Sequence, residues 1–337
     1  MKKIICSMLL IASINPLYAQ DSNALHMQGH DHEHGDVPIG VMGGHTHDAG
    51  GVMLSYRYMS MHMEGNRDGT DRLSNSEVLA DYMVTPTSMD MDMHMFGAMV
   101  GINDKLTVMA MLPYVSKSMK HLTRSGRKFT TKAEGIGDIK ISGLYKITDQ
   151  AGHKLHLNLG MSLPSGSIDE RDDTPAANNA KLPYPMQLGS GTYDLIPGIT
   201  YQGQGGNYSW GSQVTATIRN GENDNDYTLG NKVELSGWLQ RQWSNSFSTS
   251  VRLNAQSWSD IDGADPDLNP NMISTADPEL RAGKRVDMLL GVIYHARNGA
   301  LKGNRFALEV GKPVYQKLDG PQLETDLILT AGWQVAF

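Results

Sequence analysis

Apolar and polar residues alternate along most of the chain between Val52 and Phe337. A period of two is typical of β-strands that have one apolar and one polar face. The clearest case runs from Leu155 to Leu163, where apolar residues alternate with His156, Asn158 and smaller residues. About twelve such segments occur, each long enough for a tilted strand to cross an outer membrane. The pattern predicts an all-β fold, a transmembrane antiparallel up-and-down β-barrel of about 12 strands.

The connections between these segments alternate in length. Long ones begin at Glu64, His121, Pro164, Gly221, Asp260 and Tyr315, and short ones lie near Asn103, Asp149, Gly203, Ser244 and Asn298. Bacterial outer-membrane barrels have short periplasmic turns and longer outer loops. The rhythm therefore predicts the outer membrane of a Gram-negative bacterium, with both termini in the periplasm.

The region before the first strand divides into two parts. Residues 1–19 carry Lys2 and Lys3, an apolar stretch and Ala19, which is typical of a cleaved signal peptide. Residues 20–51 are polar and rich in histidine, so we expect a disordered periplasmic leader. Residues 52–337 form the predicted barrel. The single cysteine, Cys6, lies in the predicted signal peptide, so we expect the mature chain to have no thiol and no disulfide.

Methionine occupies almost every second position from Ser88 to Val100. In a strand these methionines share one face. The lipid face then consists of Phe96, Ala98 and Val100, and the methionines point into the barrel. On the preceding strand Arg57 shares the methionine face, and a guanidinium is unsuited to hydrocarbon. The opposite parity for Ser88 to Val100, with two carboxylates inside, remains open from sequence alone.

Thioether sulfur is a soft ligand that suits Cu(I) and Ag(I). The chain has 21 Met against 5 Phe, which makes a metal role a serious alternative to simple apolar filling. The candidate thioether ligands lie on the first three strands. They are Met59, Met61, Met63, Met89, Met91, Met93, Met95, Met109 and Met111.

The leader supplies candidate imidazole ligands at His30, His32, His34, His45 and His47. Closely spaced imidazoles bind Cu(II), Zn or Ni without a preformed site. The alternative is a solvated linker with no ligand. We predict no resident cofactor; metal ions would be cargo.

Several classes of function and partner can be separated by composition and motif. The net charge of −7 argues against a nucleic-acid partner. No Gly-x-Ser-x-Gly elbow, His-Glu-x-x-His or phosphate-binding loop is present, so we do not predict an enzyme. The expected partners are outer-membrane lipid, lipopolysaccharide near the acidic loops, and the barrel assembly machinery through the terminal Phe337.

Three short motifs resemble a known family. They are Gly135-Ile136-Gly137-Asp138-Ile139, Leu163-Pro164-Ser165-Gly166 and Gly189-Ser190-Gly191. Together they resemble the phenol-degradation meta-pathway (MetA-like) family of outer-membrane β-barrel transporters. The resemblance implies a barrel and a transport role, in some members for aromatic compounds.

Three hypotheses about function follow. The leading one is a barrel channel that handles copper or a similar soft metal through its methionine-lined lumen and histidine-rich leader. The second is a passive channel for small hydrophobic or aromatic compounds. The third is a structural barrel without cargo.

Overall fold

The computed structural model describes residues 37–337. The predicted signal peptide and the candidate ligands His30, His32 and His34 lie outside the described residues. Within residues 37–337, no helix is both long and apolar enough to cross a membrane.

Strands dominate the described chain. They are β1 (Val52–Gly69), β2 (Asp71–Leu73), β3 (Val84–Gly101), β4 (Leu106–Thr123), β5 (Lys128–Ile136), β6 (Ile139–Gln150), β7 (His153–Leu163), β8 (Arg171–Asp172), β9 (Ala180–Lys181), β10 (Tyr193–Gly205), β11 (Tyr208–Asn220), β12 (Tyr227–Thr228), β13 (Lys232–Ser244), β14 (Phe247–Trp258), β15 (Asp262–Gly263), β16 (Gly283–His295) and β17 (Asn304–Ala336). One short helix, α1 (Asn75–Asp81), follows β2 and starts with a capping box formed by Ser74 and Glu77. Single 3-10 turns lie at Tyr184–Met186, Ser274–Ala276, Pro278–Leu280 and Gly299–Leu301.

The main sheet closes on itself. Its order runs from β17 through β16, β14, β13, β11, β10, β7, β6, β4 and β3 to β1, and β17 pairs again with β1. Strand β2 pairs with β1, and β5 pairs with β4, so both lie outside this ring. Neighbouring strands are therefore adjacent in sequence, which is the up-and-down topology.

Strand β17 is two membrane strands in one element. Its 33 residues would span about 100 Å if extended, far more than a bilayer. The part up to Leu318 pairs antiparallel with β16, and the part from Leu318 onward pairs antiparallel with β1. The two halves of β17, called its arms below, lie side by side. Gln316 and the backbone of Thr325 exchange two hydrogen bonds, and Trp333 donates one to Asn304.

The reversal in β17 settles the number of strands. A ring of eleven strands could not close with antiparallel neighbours throughout, because directions must alternate. Counting both arms of β17 gives twelve crossing strands, and the predicted antiparallel barrel of about twelve strands is confirmed.

The strands are longer than the apolar pattern suggested. Strands β1, β3 and β4 each contain 18 residues. Strand β5 pairs antiparallel with the end of β4 and occupies most of the connection predicted after His121. The long connection predicted at Tyr315 is wrong, because the arms of β17 continue to a tight turn around Gly320. A side chain at Gly320 would collide with the carbonyl of Arg67.

The two faces of the barrel follow the alternation. Large apolar side chains such as Leu159, Leu235 and Leu290 are exposed on the outside, where lipid would cover them. Polar side chains such as Thr200, Gln240 and Glu309 are buried inside. In the text below, the end of the barrel near residues 102–105 is the short-turn end, and the opposite end is the long-loop end.

Residues 37–51, here called the inner segment, correct the predicted leader. Val37, Ile39 and Val41 are buried inside the barrel, so the segment is ordered there and is not a disordered leader. Side chains from several strands hydrogen-bond to its backbone. These partners are distant in sequence, so the local composition of the segment does not indicate that it is bound. The rest of the predicted leader, residues 20–36, lies outside the described residues.

Candidate functional site

The inward face of β1, β3 and β4 is a wall of methionine side chains, here called the methionine wall. Met89, Met95 and Met99 are buried, whereas Phe96 is 55% exposed on the other face. The predicted parity is therefore confirmed, and Arg57 shares the inner face as expected.

Strand register sets the methionines directly opposite one another. Met59 pairs with Met93, and Met61 pairs with Met91. In two places three methionines fall in one row across β1, β3 and β4. These rows are Met53, Met99, Met109 and Met63, Met89, Met119. Directly opposed residues have Cβ atoms about 4.5–5.5 Å apart, so the thioethers of a row are neighbours.

The wall belongs to two packed clusters, one toward each end of the barrel. Met53, Met95, Met99, Met109, Met111 and Leu144 form the cluster toward the short-turn end, with Met42, Met59 and Met93 packed against it. Met89, Val115, Met119, Ala133, Leu182, Met186 and Leu188 form the other, with Met63, Met91, Met93 and Leu323 against it. Met93 touches both clusters, so the apolar lining is continuous.

The inner face of β14, β16 and β17 is polar. Arg252 makes a two-pronged ion pair with Glu309, with both nitrogen-to-oxygen distances at 2.8 Å. Arg285 pairs with Asp287 at 2.9 Å. The charges are thus largely matched within this face, and they stiffen the barrel as structural ion pairs.

Inward side chains from five strands of the barrel donate hydrogen bonds to backbone carbonyls of the inner segment. Arg57 donates to the carbonyl of Ile39 at 3.1 Å, and Gln213 donates to that of Met42 at 2.9 Å. His156 lies 2.9 Å from the carbonyl of Gly43 through Nε2. Further donors are Arg305 to Val37, Asn158 to Gly43 and Gln202 to Gly44. The inner segment crosses the lumen as a bound peptide would.

The two described candidate imidazoles lie on the inner segment. The rings of His45 and His47 are 5.1 Å apart and meet edge to face. Burial holds the pKa of His45 well below its usual value, and nearby His47, Arg305 and Arg57 lower that pKa further. The guanidiniums of Arg57 and Arg305 thus lie close to His45 inside the barrel. Sequence reasoning missed this cationic group, because it forms only when β1 and β17 close the barrel.

A loop from the long-loop end folds over the methionine wall. Leu182, Met186 and Leu188 of the connection between β7 and β10 are buried in the cluster at that end. Lys117 of β4 donates to the carbonyls of Pro185 and Gln187. The wall is therefore covered at one end by this loop and at the other by the inner segment.

The three motifs that carried the family resemblance meet at one point. The carboxylate of Asp138 accepts hydrogen bonds from the backbone of Gly166 at 3.0 Å and from the backbone and hydroxyl of Ser190 at 2.8 and 2.9 Å. A Cβ at Gly189 would lie 2.6 Å from this carboxylate, so glycine lets the loop approach. The motifs thus anchor both ends of the loop that covers the methionine wall.

A polar group that the sequence did not single out faces outward on β1 and β17. His62, Glu64 and Asp326 offer ligand atoms within 4.8 Å of one another, the one grouping of three His, Cys, Asp or Glu residues this close in residues 37–337. His62 also lies 2.6 Å from Asp90. None of the predicted metal ligands belongs to this group.

Comparison with known proteins agrees with the fold. Residues 85–280 match the family model described as "Putative MetA-pathway of phenol degradation". The chain is similar to an outer membrane channel from Pseudomonas putida F1, with 12% identity, a TM-score of 0.62, and coverage of 90% of this chain and 100% of that one. At that identity the similarity shows the fold alone.

Two other solved structures are more distant. The transport unit of the autotransporter AIDA-I from Escherichia coli has 10% identity and a TM-score of 0.49, covering 89% of this chain and 94% of that one. A FadL homologue from Pseudomonas aeruginosa has 10% identity and a TM-score of 0.41, covering 85% and 89%. Neither score supports a functional argument. No curated protein matched the chain.

Fold and family together define a β-barrel of the outer-membrane type. The chain belongs to the family described as the MetA-pathway of phenol degradation, since the match spans more than half of its length. The family resemblance seen in the sequence is therefore confirmed.

Proposed function

We propose that the protein is a passive outer-membrane channel for small apolar or aromatic compounds that carry an oxygen acceptor, such as a carboxylate. The observation that carries the proposal is the two-sided lumen. The methionine wall offers a flexible apolar surface; Arg57 within it, and His156 and Gln213 on β7 and β11, donate hydrogen bonds. Ligand sites of this kind combine an apolar lining with a few polar groups that fix orientation.

The donors that hold the inner segment support the choice of solute. Arg57, Gln213 and His156 already bind three carbonyl oxygens inside the lumen. A carboxylate or carbonyl of a solute would find the same donors once the inner segment moved aside. Arginine is well suited to carboxylates, because its fork of donors matches both oxygens.

Charge near the methionine wall weighs against a cation as cargo. Arg57 lies directly opposite Met95 in the strand register, and both side chains are buried. At about 6 Å and an effective dielectric constant of about 20, a guanidinium would repel a monovalent cation by about 3 kcal/mol. A metal path along the wall would have to cross this barrier.

Soft-metal cargo remains the second candidate, supported by one specific observation. Inside the barrel methionine is concentrated on three strands, while the outer face uses mainly leucine, valine and isoleucine. Leucine would fill the same space at similar volume. The preference for sulfur therefore favours a role that an aliphatic side chain would not serve.

The orientation is part of the proposal. Short turns would face the periplasm and the long-loop end the exterior, as in other bacterial barrels. The terminal Phe337 as a signal for barrel assembly, and lipopolysaccharide as a partner, stay predictions.

The test is solute flux in liposomes that contain the refolded chain. Benzoate is the probe for the proposed class, and Ag(I) is the probe for soft cations. We expect benzoate uptake above that of empty liposomes, and a reduction of about tenfold in Arg57→Met, equivalent to about 1.4 kcal/mol. Arg241→Met is the matched control, because Arg241 lies over the Trp243 ring at the short-turn end.

Two outcomes would reject the proposal. One is an absence of benzoate uptake by barrels that conduct small ions. The other is a wild-type barrel that takes up Ag(I) but not benzoate, and that loses Ag(I) uptake when Met89, Met91, Met93 and Met95 are replaced by leucine. This result would favour the soft-metal channel.

A further inference from the structure

One row of the methionine wall has the composition of a metal site. Met53, Met99 and Met109 lie in register on β1, β3 and β4, and their exposed fractions are 4%, 3% and 6%. Because directly opposed side chains on one face are about 5 Å apart at Cβ, three flexible thioethers can converge on a single point.

This row carries no charged side chain, since it continues with Ala336 on β17 and with Ser142 on β6. The next inward row toward the long-loop end consists of Ser55, Gly97 and Met111. Gly97 has no side chain, and the Ser55 hydroxyl takes that space, since a Cβ at Gly97 would lie 2.5 Å from it. On β6 the first row continues with the uncharged Ser142, whereas the second row continues with Lys140.

The inner segment adds a fourth thioether. Met42 packs against the cluster that contains the row, and a Cβ at the neighbouring Gly43 would lie 3.4 Å from the terminal methyl of Met109. The segment therefore covers the row from the side of the lumen, and a metal held there would be shielded from water.

We propose that Met53, Met99 and Met109 form a binding site for a soft monovalent cation, Cu(I) or Ag(I), that the inner segment covers. Three thioethers without a charged ligand suit a soft monovalent ion better than Zn²⁺ or Ca²⁺, which prefer nitrogen, thiolate or oxygen. The site goes beyond the proposed channel function, since binding at this row requires no transport.

The chain offers a matched control for methionine content. Met161 and Met288 lie on the lipid face and are 46% and 42% exposed. The test variant is M53L/M99L/M109L, and the control is M161L/M288L. Leucine conserves the volume of methionine, with an expected cost below about 1.5 kcal/mol at each position.

The experiment is equilibrium dialysis of Ag(I) against the purified barrel in detergent, with bound silver measured by mass spectrometry. Loss of even an outer partner of a metal ligand weakens binding by about 10–100-fold. We therefore expect at least about a hundredfold weaker binding in the triple variant and wild-type binding in the control. Equal binding by wild type and triple variant would overturn the proposal, as would an equal loss in the control.

A second measurement needs no variant and covers the case in which the triple variant fails to fold. Oxidation by hydrogen peroxide converts accessible methionine to its sulfoxide. Bound Ag(I) should slow the oxidation of Met53, Met99 and Met109 severalfold and leave Met161 unchanged. Uniform protection of all methionines, or none, would contradict the site. Neither measurement depends on flux, so failure of the channel proposal would leave this result intact.

Discussion

A disulfide between the inner segment and β17 should keep the inner segment in the lumen and block conduction. An ideal Cβ at Gly332 would lie 2.6 Å from Cγ1 of Ile39. Since Cγ1 is one bond from its own Cβ, the two Cβ atoms would be at most about 4 Å apart, within the range of about 3.5–4.5 Å found in disulfides. The double variant I39C/G332C, in a chain that starts after the predicted signal peptide, should therefore oxidise without moving the backbone.

The expected effect follows from where the inner segment lies. It is held by donors from β1, β7, β10, β11 and β17, so it crosses most of the lumen. If the segment leaves the lumen in the conducting state, the disulfide removes that state. A conducting population of about 1% would then fall to none, and reduction would restore it.

The assay is conductance across a planar bilayer, recorded before and after a reductant is added. We expect low conductance in the oxidised form and a rise of about tenfold or more on reduction, since the reduced segment can exchange between states. The single variant I39C is the control and should not respond to reductant. Equal conductance in both redox states, with the disulfide verified by mass spectrometry, would refute the reasoning.

Three further predictions concern the parts that shape the lumen. Glu309→Gln should destabilise the barrel by about 3–5 kcal/mol, because it leaves the buried Arg252 without its carboxylate; urea unfolding measures this, and the exposed Glu64→Gln should change little. Asp138→Ala should make residues 167–187 sensitive to protease, because three hydrogen bonds at the loop ends are lost; protection equal to that of the exposed Asp224→Ala would contradict this anchoring role. Gln213→Leu should raise bilayer conductance about fivefold, because one hydrogen bond of about 1 kcal/mol to the inner segment is lost. Unchanged conductance would show that this bond does not hold the segment.

Much of the fold could be predicted from the chain because the signal is local. Alternation along each strand fixed the faces, so Met89, Met95 and Phe96 lie where the pattern indicated. The rhythm of connections fixed the topology of neighbouring strands. The motif around Asp138 indicated the family, although its physical role in anchoring a loop became visible only when Gly166 and Ser190 were found beside it.

The candidate site depended on tertiary structure. The sequence pointed to a methionine wall but not to which residues share a row, because register between strands is set by closure of the whole barrel and its turns. It also suggested a free leader where residues 37–51 are bound inside. Polar composition is typical of disorder, yet carbonyls of this segment meet donors supplied by five distant strands.

The chain by itself therefore determined the barrel and the side on which the methionines lie, since both depend on a period of two within each strand. Only the tertiary structure decided that the lumen is filled, and that Arg57 and Arg305 stand together beside His45. Those facts depend on contacts between residues up to 268 positions apart, and no local pattern encodes them.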